Sequence, residues 1–235
     1  EYQGNEGFYQ GNEGFLQRDS VEHKGYAEAR STDCREGKER DDASDLLEAI
    51  LGRDNLNSAH KRVKRNHGAA GIDGMTVEEA LPWLKEHRGE LLQSIRDGSY
   101  MPSPVRRKEI PKPDGSVRKL GIPTVVDRVI QQAIAQKLQS IWEPLFSDSS
   151  YGYRPKRSAQ QAIQKVKKYA EEGYRYAVSV DLSKYFDTLN HELLMTLLYR
   201  QIQDMRVLRL IKKYLKSGVM ENGVICKTEE GSPQG

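Results

Sequence analysis

The sequence is poor in cysteine and in long apolar stretches. Cys34 and Cys226 are the two cysteines among 235 residues, too few for a disulfide framework or a cysteine-rich zinc site. No apolar run approaches the roughly 20 residues that a membrane-spanning helix needs, and the N-terminus lacks the apolar centre of a signal peptide. These absences predict a cytoplasmic protein without a membrane partner.

Acidic charge is scarce after the first 45 residues. Residues 1–45 contain 12 of the 34 Asp and Glu residues but 6 of the 37 Lys and Arg residues, so the remainder of the chain has an excess of nine positive charges. Such an excess favours a polyanionic partner such as nucleic acid, although a moderately basic surface also serves solubility. Charge alone leaves both interpretations open.

The N-terminal segment repeats itself. Residues 2–8 and 9–15 are both Tyr-Gln-Gly-Asn-Glu-Gly-Phe, and few apolar residues follow before residue 45. Two copies are too few for a solenoid, and the composition predicts a disordered low-complexity tail over residues 1–44. A linker without its own function is favoured over an extra recognition segment. Because the first residue is Glu1 and not methionine, we also expect a fragment of a longer protein.

A short apolar run ends in a carboxylate at Asp181. Ala177, Val178 and Val180 favour a β-strand, and turn and helix signals begin directly afterwards. A carboxylate at the mouth of a strand suits Mg²⁺, because this ion takes oxygen ligands and one or two carboxylates from the protein. Asp is also a common cap and turn former, so Asp181 alone does not decide the matter.

The stretch that begins at Asp181, Asp-Leu-Ser-Lys-Tyr-Phe-Asp-Thr-Leu-Asn-His, resembles the first carboxylate motif of reverse transcriptases encoded by mobile group II introns. Three other stretches resemble the same family in the expected order: residues 55–76, residues 110–135 with 150–159, and residues 230–235. The resemblance implies an α+β fold, in which an antiparallel sheet and packed helices form the fingers and part of the palm of a right-hand polymerase. It implies a helical N-terminal extension at 45–104, fingers at 105–172 and a partial palm at 173–235.

The resemblance also assigns roles around Asp181. Nucleotidyl transfer by polymerases uses two metal ions that clamp the attacking and leaving oxygens. By resemblance, Asp181 ligates Mg²⁺ and the backbone carbonyl of Leu182 helps to hold the metal on the nucleotide side. Phe186 would lie under the sugar and exclude a 2′-hydroxyl, and Gln234 would lie beside the nascent base pair.

Two cations flank the tip of a predicted hairpin. Extended chain begins at Val105, is interrupted by the Pro-Lys-Pro-Asp-Gly segment and resumes until Ile122. Lys112 and Arg118 match the fingers residues that hold the incoming triphosphate in the family. Exposed Lys and Arg on an edge strand also protect against aggregation, which is the alternative interpretation without the resemblance.

Further basic and aromatic residues are expected to contact nucleic acid. They lie on a basic helix, in a small-residue loop, on a helix after the hairpin and in a Tyr-Gly-Tyr-Arg-Pro-Lys-Arg segment, where charge and stacking surfaces interleave. For each group a solvated surface or a packing role is the alternative. The residues are Lys61, Arg62, Lys64, Arg65, Gly71, Arg128, Tyr153, Arg154 and Arg157.

Several local signals are purely structural. Thr76 with Glu79 and Ser158 with Gln161 have the spacing of capping boxes, and Asn222-Gly223 predicts a tight hairpin. Asn190 is expected to cap a helix that buries one apolar side, formed by Leu193, Leu194, Leu197, Leu198 and Ile202.

One carboxylate cannot complete a two-metal site, and the paired aspartates expected after residue 235 in this family are not in the sequence. We therefore expect a parent reverse transcriptase that uses an RNA template, a DNA primer and deoxynucleoside triphosphates, whereas this chain alone is inactive. The family resemblance allows a homodimer. A non-catalytic, maturase-like module that binds intron RNA is the second hypothesis, and an eroded copy without activity is the third.

Overall fold

The computed structural model describes residues 45–113, 115 and 117–233. The tail expected at residues 1–44 and the predicted nucleotide-binding residue Gln234 lie outside this part of the chain. In chain order the elements are α1 (Leu46–Leu51), α2 (Arg53–Arg65), α3 (Ala80–Arg96), β1 (Val105–Pro111), β2 (Val117–Ile122), α4 (Val125–Trp142), a 3-10 turn (Glu143–Leu145), α5 (Ala159–Glu171), α6 (His191–Tyr199), α7 (Met205–Leu215), β3 (Val219–Glu221) and β4 (Val224–Cys226).

Helix α4 is the centre of the core. Its apolar residues recur at helical spacing, and Val125, Val129 and Ala133 are at most 2% exposed. Helices α1, α2 and α3 pack against it. The amide of Asn55 on α2 donates to the carbonyl of Ala133 at 3.0 Å, which fixes the two helices to each other.

The predicted caps at Ser158 and Asn190 are confirmed, and the predicted Thr76–Glu79 pair forms in the turn directly before α3. The backbone N–H of Thr76 donates to the Glu79 carboxylate at 2.9 Å while Glu79 donates its own N–H to the Thr76 hydroxyl. Ser158 and Gln161 form the same reciprocal pair at the start of α5. The side chain of Asn190 accepts the N–H of the third residue of α6. Each cap satisfies backbone donors that a helix cannot pair internally.

A buried carboxylate joins α4 to the segment before β1. Asp127, 1% exposed, accepts hydrogen bonds from the Tyr100 hydroxyl at 2.6 Å, the Ser103 N–H at 3.2 Å and the Thr124 hydroxyl at 2.7 Å. Burial, and then the nearby Asp127 charge, raises the pKa of Tyr100 above its ordinary range, so this phenol stays a donor.

One four-stranded sheet unites both predicted hairpins in the order β2-β1-β3-β4. The pairs β1/β2 and β3/β4 are antiparallel. Strands β1 and β3 pair in parallel, with Val105 opposite Val219 and Arg106 opposite Met220, a pairing that the sequence does not predict. The sheet thus connects the region expected as fingers to the region expected as palm.

The tight hairpin between β3 and β4 is confirmed. Asn222 has φ 51° and Gly223 has φ 81°. Two successive positive φ values are the geometry of the two-residue turn that matches the twist of antiparallel strands. At the tip of the β1–β2 hairpin, the N–H of Gly115 donates to the carbonyl of Lys112 at 3.0 Å.

The strand expected before Asp181 is absent. Residues 174–180 have no strand or helix assignment, and Tyr176, Val178 and Val180 are 98%, 90% and 82% exposed. An extended segment becomes a strand when a neighbour accepts its backbone hydrogen bonds, and an isolated one is not stable in water. No described segment pairs with residues 174–180, so their β propensity is not realised.

Helix α6 is less buried than expected. Ile202, just after it, is 1% exposed, but Leu193 and Leu197 are 60% and 47% exposed. Helix α6 packs mainly on α7, and part of its apolar side faces outward. Helix α5 likewise has no buried residue. Across the described ranges, no helix is both long and apolar enough to cross a membrane.

Candidate functional site

Two motifs that are distant in sequence meet through backbone hydrogen bonds. The N–H of Ser232 donates to the carbonyl of Phe186 at 2.6 Å, and the N–H of Gly231 donates to the carbonyl of Leu189 at 2.8 Å. Nε2 of the His191 ring lies 2.6 Å from the carbonyl oxygen of Gly231. We call this contact between residues 184–191 and 230–233 the motif junction. It needs no particular side chain except that of His191.

Glycine is required at the motif junction for two reasons. Gly231 has φ +80°, a conformation that residues with a Cβ rarely adopt. A Cβ built there would also lie 2.7 Å from the carbonyl oxygen of Asp187 and 3.0 Å from that of Phe186. Gly231 therefore approaches the chain's own backbone closely.

The sheet reaches the same place through Gly121 on β2. A Cβ at Gly121 would lie 2.7 Å from Cβ of Pro233 and 2.8 Å from Cγ2 of Val105. The fingers hairpin, residues 230–233 and the turn at residues 184–188 are therefore neighbours in space.

Asp181 lies on the loop that leads into the motif junction. Its side chain is exposed and makes no hydrogen bond or ion pair with any residue that the structure describes. Leu182 is 65% exposed. A free carboxylate followed by an accessible carbonyl is a donor set that fits Mg²⁺. Within the described ranges, no three His, Cys, Asp or Glu residues are grouped so that they could hold a metal ion.

Phe186 follows Asp181 by five residues and has an exposed ring. Its ring and that of Tyr185 pack edge to face with centroids 5.4 Å apart, and they are 48% and 47% exposed. Neither ring is buried in the core. Phe186 is held by its backbone at the motif junction, which leaves the ring available to a ligand.

Lys112 and Arg118 are both exposed near the hairpin tip. Arg118 lies opposite Ile110 in the β1–β2 register, and Lys112 follows directly after β1. Neither has an ion-pair partner in the described part of the chain. Their placement is compatible with the triphosphate role, which stays a prediction.

Helix α2 presents the expected basic face. Ala59 and Val63 point into the core together with His60. The remaining positions Lys61, Arg62, Lys64 and Arg65 are exposed.

The small-residue loop after α2 packs against the protein itself. Gly71 is buried, and a Cβ there would lie 2.6 Å from Cα of Thr124. Arg128 donates to the carbonyl of Ala69 at 2.6 Å, and Arg106 donates to that of Ala70 at 2.7 Å. Gly71 and Arg128 thus have structural roles that the sequence did not indicate, and their nucleic-acid contacts stay predictions. Arg106 was missed because its partner is a carbonyl, which leaves no signal in sequence.

Arg154 is built into the protein. Its side chain is 6% exposed and pairs with Glu143 at 2.8 Å, while it also donates to the carbonyls of Ser147 and Ser150. The packing alternative therefore describes Arg154 better than the phosphate-binding one. Arg157 pairs with Asp148 at 3.2 Å and is less buried.

Tyr153 differs from its neighbours. It is fully exposed and has φ +55°. A bulky residue held at positive φ is uncommon, and such strain is often found at functional positions. Of the three residues predicted in this segment, Tyr153 is the most exposed.

The family model for reverse transcriptase (RNA-dependent DNA polymerase) matches residues 110–235, the part of the chain that holds the tip of the hairpin, Asp181 and the motif junction. The chain belongs to the reverse transcriptase family. The match confirms the resemblance drawn from the motifs.

Its relatives include a protein encoded by a group II intron and other intron proteins. The group II intron-encoded protein LtrA of Lactococcus lactis subsp. cremoris is 38% identical over 191 residues, which cover 81% of this chain and 32% of LtrA. The putative COX1/OXI3 intron 1 protein of Saccharomyces cerevisiae is 31% identical and covers 82% of this chain and 23% of that protein. This reverse transcriptase segment therefore spans about a third or less of these two relatives.

A solved structure shares the fold. The partial Cas6-RT-Cas1--Cas2 complex matches with a TM-score of 0.53 at 20% sequence identity, over 81% of this chain and 31% of that chain. The likeness supports the α+β fingers-and-palm architecture and carries no further functional statement.

Proposed function

We propose that this segment contributes the nucleotide-binding side of an RNA-directed DNA polymerase that acts in a group II intron. The observation that carries the proposal is the motif junction. It joins the backbone of Phe186 to residues 230–233, and Pro233 in turn lies against Gly121 of the fingers hairpin.

Each exposed group has a defined task in this proposal. The Asp181 carboxylate and the Leu182 carbonyl would ligate Mg²⁺, which when bound supplies electrostatic stabilisation of the attacking and leaving oxygens. Lys112 and Arg118 would neutralise and orient the triphosphate. The Phe186 ring would exclude ribonucleotides by its bulk, and Gln234 would contact the nascent base pair.

The roles are tested by primer extension on an RNA template, in a protein that carries this segment within the length found in its relatives. Asp181→Asn should abolish Mg²⁺-dependent DNA synthesis, since it removes the metal-binding charge with little change of shape. Phe186→Ala should retain synthesis but incorporate ribonucleotides. Lys112→Ala should raise the KM for nucleotides by about tenfold or more, as expected for the loss of a charged contact. Unchanged synthesis in Asp181→Asn would refute the proposal.

Residues 1–235 by themselves should not synthesise DNA, because the described part supplies one carboxylate to a site that needs more. The check is the same extension assay on the isolated chain. Mg²⁺-dependent synthesis that disappears in Asp181→Ala would contradict this expectation.

A second candidate function is binding of intron RNA without catalysis. The exposed cations of α2 favour it, as does a likeness of 31% over 105 residues to nuclear intron maturase 2 of Arabidopsis thaliana. The RNA-binding role requires neither Asp181 nor Phe186.

Two variants of the chain distinguish the two candidate functions. Lys61→Ala with Arg62→Ala should weaken RNA binding, measured by fluorescence anisotropy, whereas Asp181→Ala should leave it unchanged. Equal effects of both variants would argue against a dedicated RNA-binding role for α2.

A further inference from the structure

A basic cleft opens between the end of α3 and one side of α7. It encloses about 550 Å³, and its walls include Tyr100, Met101 and Pro102 on one side and residues of α7 on the other. Met101 is 71% exposed, which is unusual for a large apolar side chain in a concave site. None of the residues proposed to bind the nucleotide lines this cleft.

The charge of the cleft comes mainly from one face of α7. Arg209, Lys213 and Lys216 follow one another at intervals of four and three residues, the spacing that places side chains on the same helix face. They extend over roughly 10 Å along the helix axis. None of the three has a carboxylate within ion-pair distance in the part of the chain that the structure describes.

The other cations of the cleft are engaged by acids. Arg96 pairs with Glu48 at 2.9 Å, and Lys212 pairs with Glu192 at 2.9 Å. These pairs do not account for the face formed by Arg209, Lys213 and Lys216. Asp97 also lines the cleft, and it does not balance three cations.

Lys213 is held in place although its charge is not paired. Its ammonium group donates to the carbonyls of Gly98 and Tyr100, at 2.5 and 2.9 Å. These bonds connect α7 to the segment after α3. They also fix the position of a positive charge, so that a ligand would lose little side-chain entropy on meeting it.

Cations near the C-terminus of a helix also stabilise the helix itself, by interaction with its dipole. That effect explains Lys213 and Lys216, which are near the end of α7. It does not explain Arg209, which is exposed in the middle of the helix. Arg209 precedes the last turn, and the dipole effect is confined to that turn.

We propose that this cleft binds the phosphate backbone of RNA, as a contact separate from the nucleotide site. Arg209, Lys213 and Lys216 would meet successive phosphates, and Met101 would contact a ribose or base. The cleft lies at the start of β1, whereas Lys112 follows its end, so the two sites are roughly 20 Å apart along the strand. An RNA strand held here need not enter the polymerase groove.

The test removes two charges whose side chains form no hydrogen bond or ion pair with the described residues. Arg209→Gln with Lys216→Gln is compared with Lys85→Gln with Arg88→Gln, which removes one Lys and one Arg from exposed positions nearer the start of α3. Binding of a fluorescein-labelled RNA hairpin to the 235-residue chain is measured by anisotropy between about 50 and 200 mM salt. Over this range an affinity that depends on phosphate contacts falls steeply. A DNA hairpin of the same sequence is measured in parallel.

The cleft variant should bind the RNA hairpin roughly tenfold more weakly, and its plot of log Kd against log salt concentration should be shallower by about 1.5, as for two lost phosphate contacts. The control variant should match the wild type. Equal effects of the two variants, or none, would overturn the proposal. Weakening for DNA with none for RNA would overturn the assignment to RNA.

A second measurement does not depend on variants. Lysine acylation followed by mass spectrometry, with and without the RNA hairpin, should show several-fold protection of Lys216 and none of Lys85. Unprotected Lys216 at saturating RNA would overturn the proposal, even if the variants bind weakly.

Discussion

The backbone N–H of Ser232 donates to the carbonyl oxygen of Phe186 at 2.6 Å. This bond connects the motif that carries the exposed ring to the motif that ends the described chain. Because it uses backbone atoms, substitutions of Phe186 should alter selectivity without moving the loop. Changes at the glycine beside it should move the loop instead.

Gly231→Ala should destabilise the protein more than a positive φ alone explains. Gly74 is the matched control, since it has φ +73° with nothing within 4 Å of an added Cβ. Gly74→Ala should cost about 1 kcal/mol in the free energy of unfolding. Gly231→Ala should lower the free energy of unfolding by about 1–3 kcal/mol more than that, because its Cβ meets two carbonyl oxygens. Urea unfolding measures both, and equal costs would show that the contact relaxes freely.

Asp127→Asn should destabilise the core by about 2–4 kcal/mol. The amide keeps the shape of the carboxylate, but its NH₂ group faces donors that need an acceptor. Asp54→Asn, at an exposed position, should change the free energy of unfolding by no more than about 0.5 kcal/mol. Chemical unfolding monitored by circular dichroism gives both values.

Arg154 and Tyr153 should separate stability from binding. Arg154→Ala should lower the free energy of unfolding by about 2–4 kcal/mol, since it leaves Glu143 and two carbonyls without their partner. Tyr153→Ala should leave stability within about 0.5 kcal/mol, yet weaken single-stranded RNA binding by about 1–3 kcal/mol if a base stacks there. The reverse pattern would restore the phosphate-binding interpretation of Arg154.

The free energy of unfolding should fall as the pH drops below about 6.5. Burial, and then the charge of Lys64, lowers the pKa of His60 from its ordinary value. The folded state therefore takes up the proton less readily than the unfolded chain, so stability is present above pH 6.5 and is lost as the pH falls through the folded pKa. His60→Leu should remove this step, and His67→Gln at an exposed position should not. Urea titrations at pH 7.5 and about 5.5 stay above the carboxylate range.

Residues 176–182 should exchange their amide hydrogens quickly. They lie outside the sheet and are largely exposed, whereas the amides between β1 and β2 are paired. Hydrogen exchange with mass spectrometry should show no protection of this segment in the isolated chain. Strong protection would mean that a second molecule covers it.

Local signals predicted local structure well. The caps at Thr76, Ser158 and Asn190 and the turn at Asn222 follow from side chains that bond to nearby backbone, so sequence spacing contains the relevant geometry. Four motifs in the expected order identified the family, and the family resemblance in turn implied the α+β fold.

Predictions failed where the structure of a residue depends on a partner far away in the sequence. Val178 and Val180 favour a strand, but a strand exists only beside another. The charge of Arg154 suggested phosphate binding, and its acceptors turned out to be Glu143 and two carbonyls. No rule of spacing reveals that Asp127 would collect donors from three positions. Such partners are set by tertiary packing, which overrides local propensity.

The parallel pairing of Val105 with Val219 constrains the order in which the sheet forms while the protein is being synthesised. The β1–β2 hairpin can close as soon as its own residues, up to Ile122, have left the ribosome, but the other edge of β1 must wait until β3 is made, from Val219 onward. During that interval an unpaired strand edge is open to wrong neighbours. Contacts so far apart in the chain also slow folding, so translation speed over α4 to α7 should influence how much soluble protein a cell obtains.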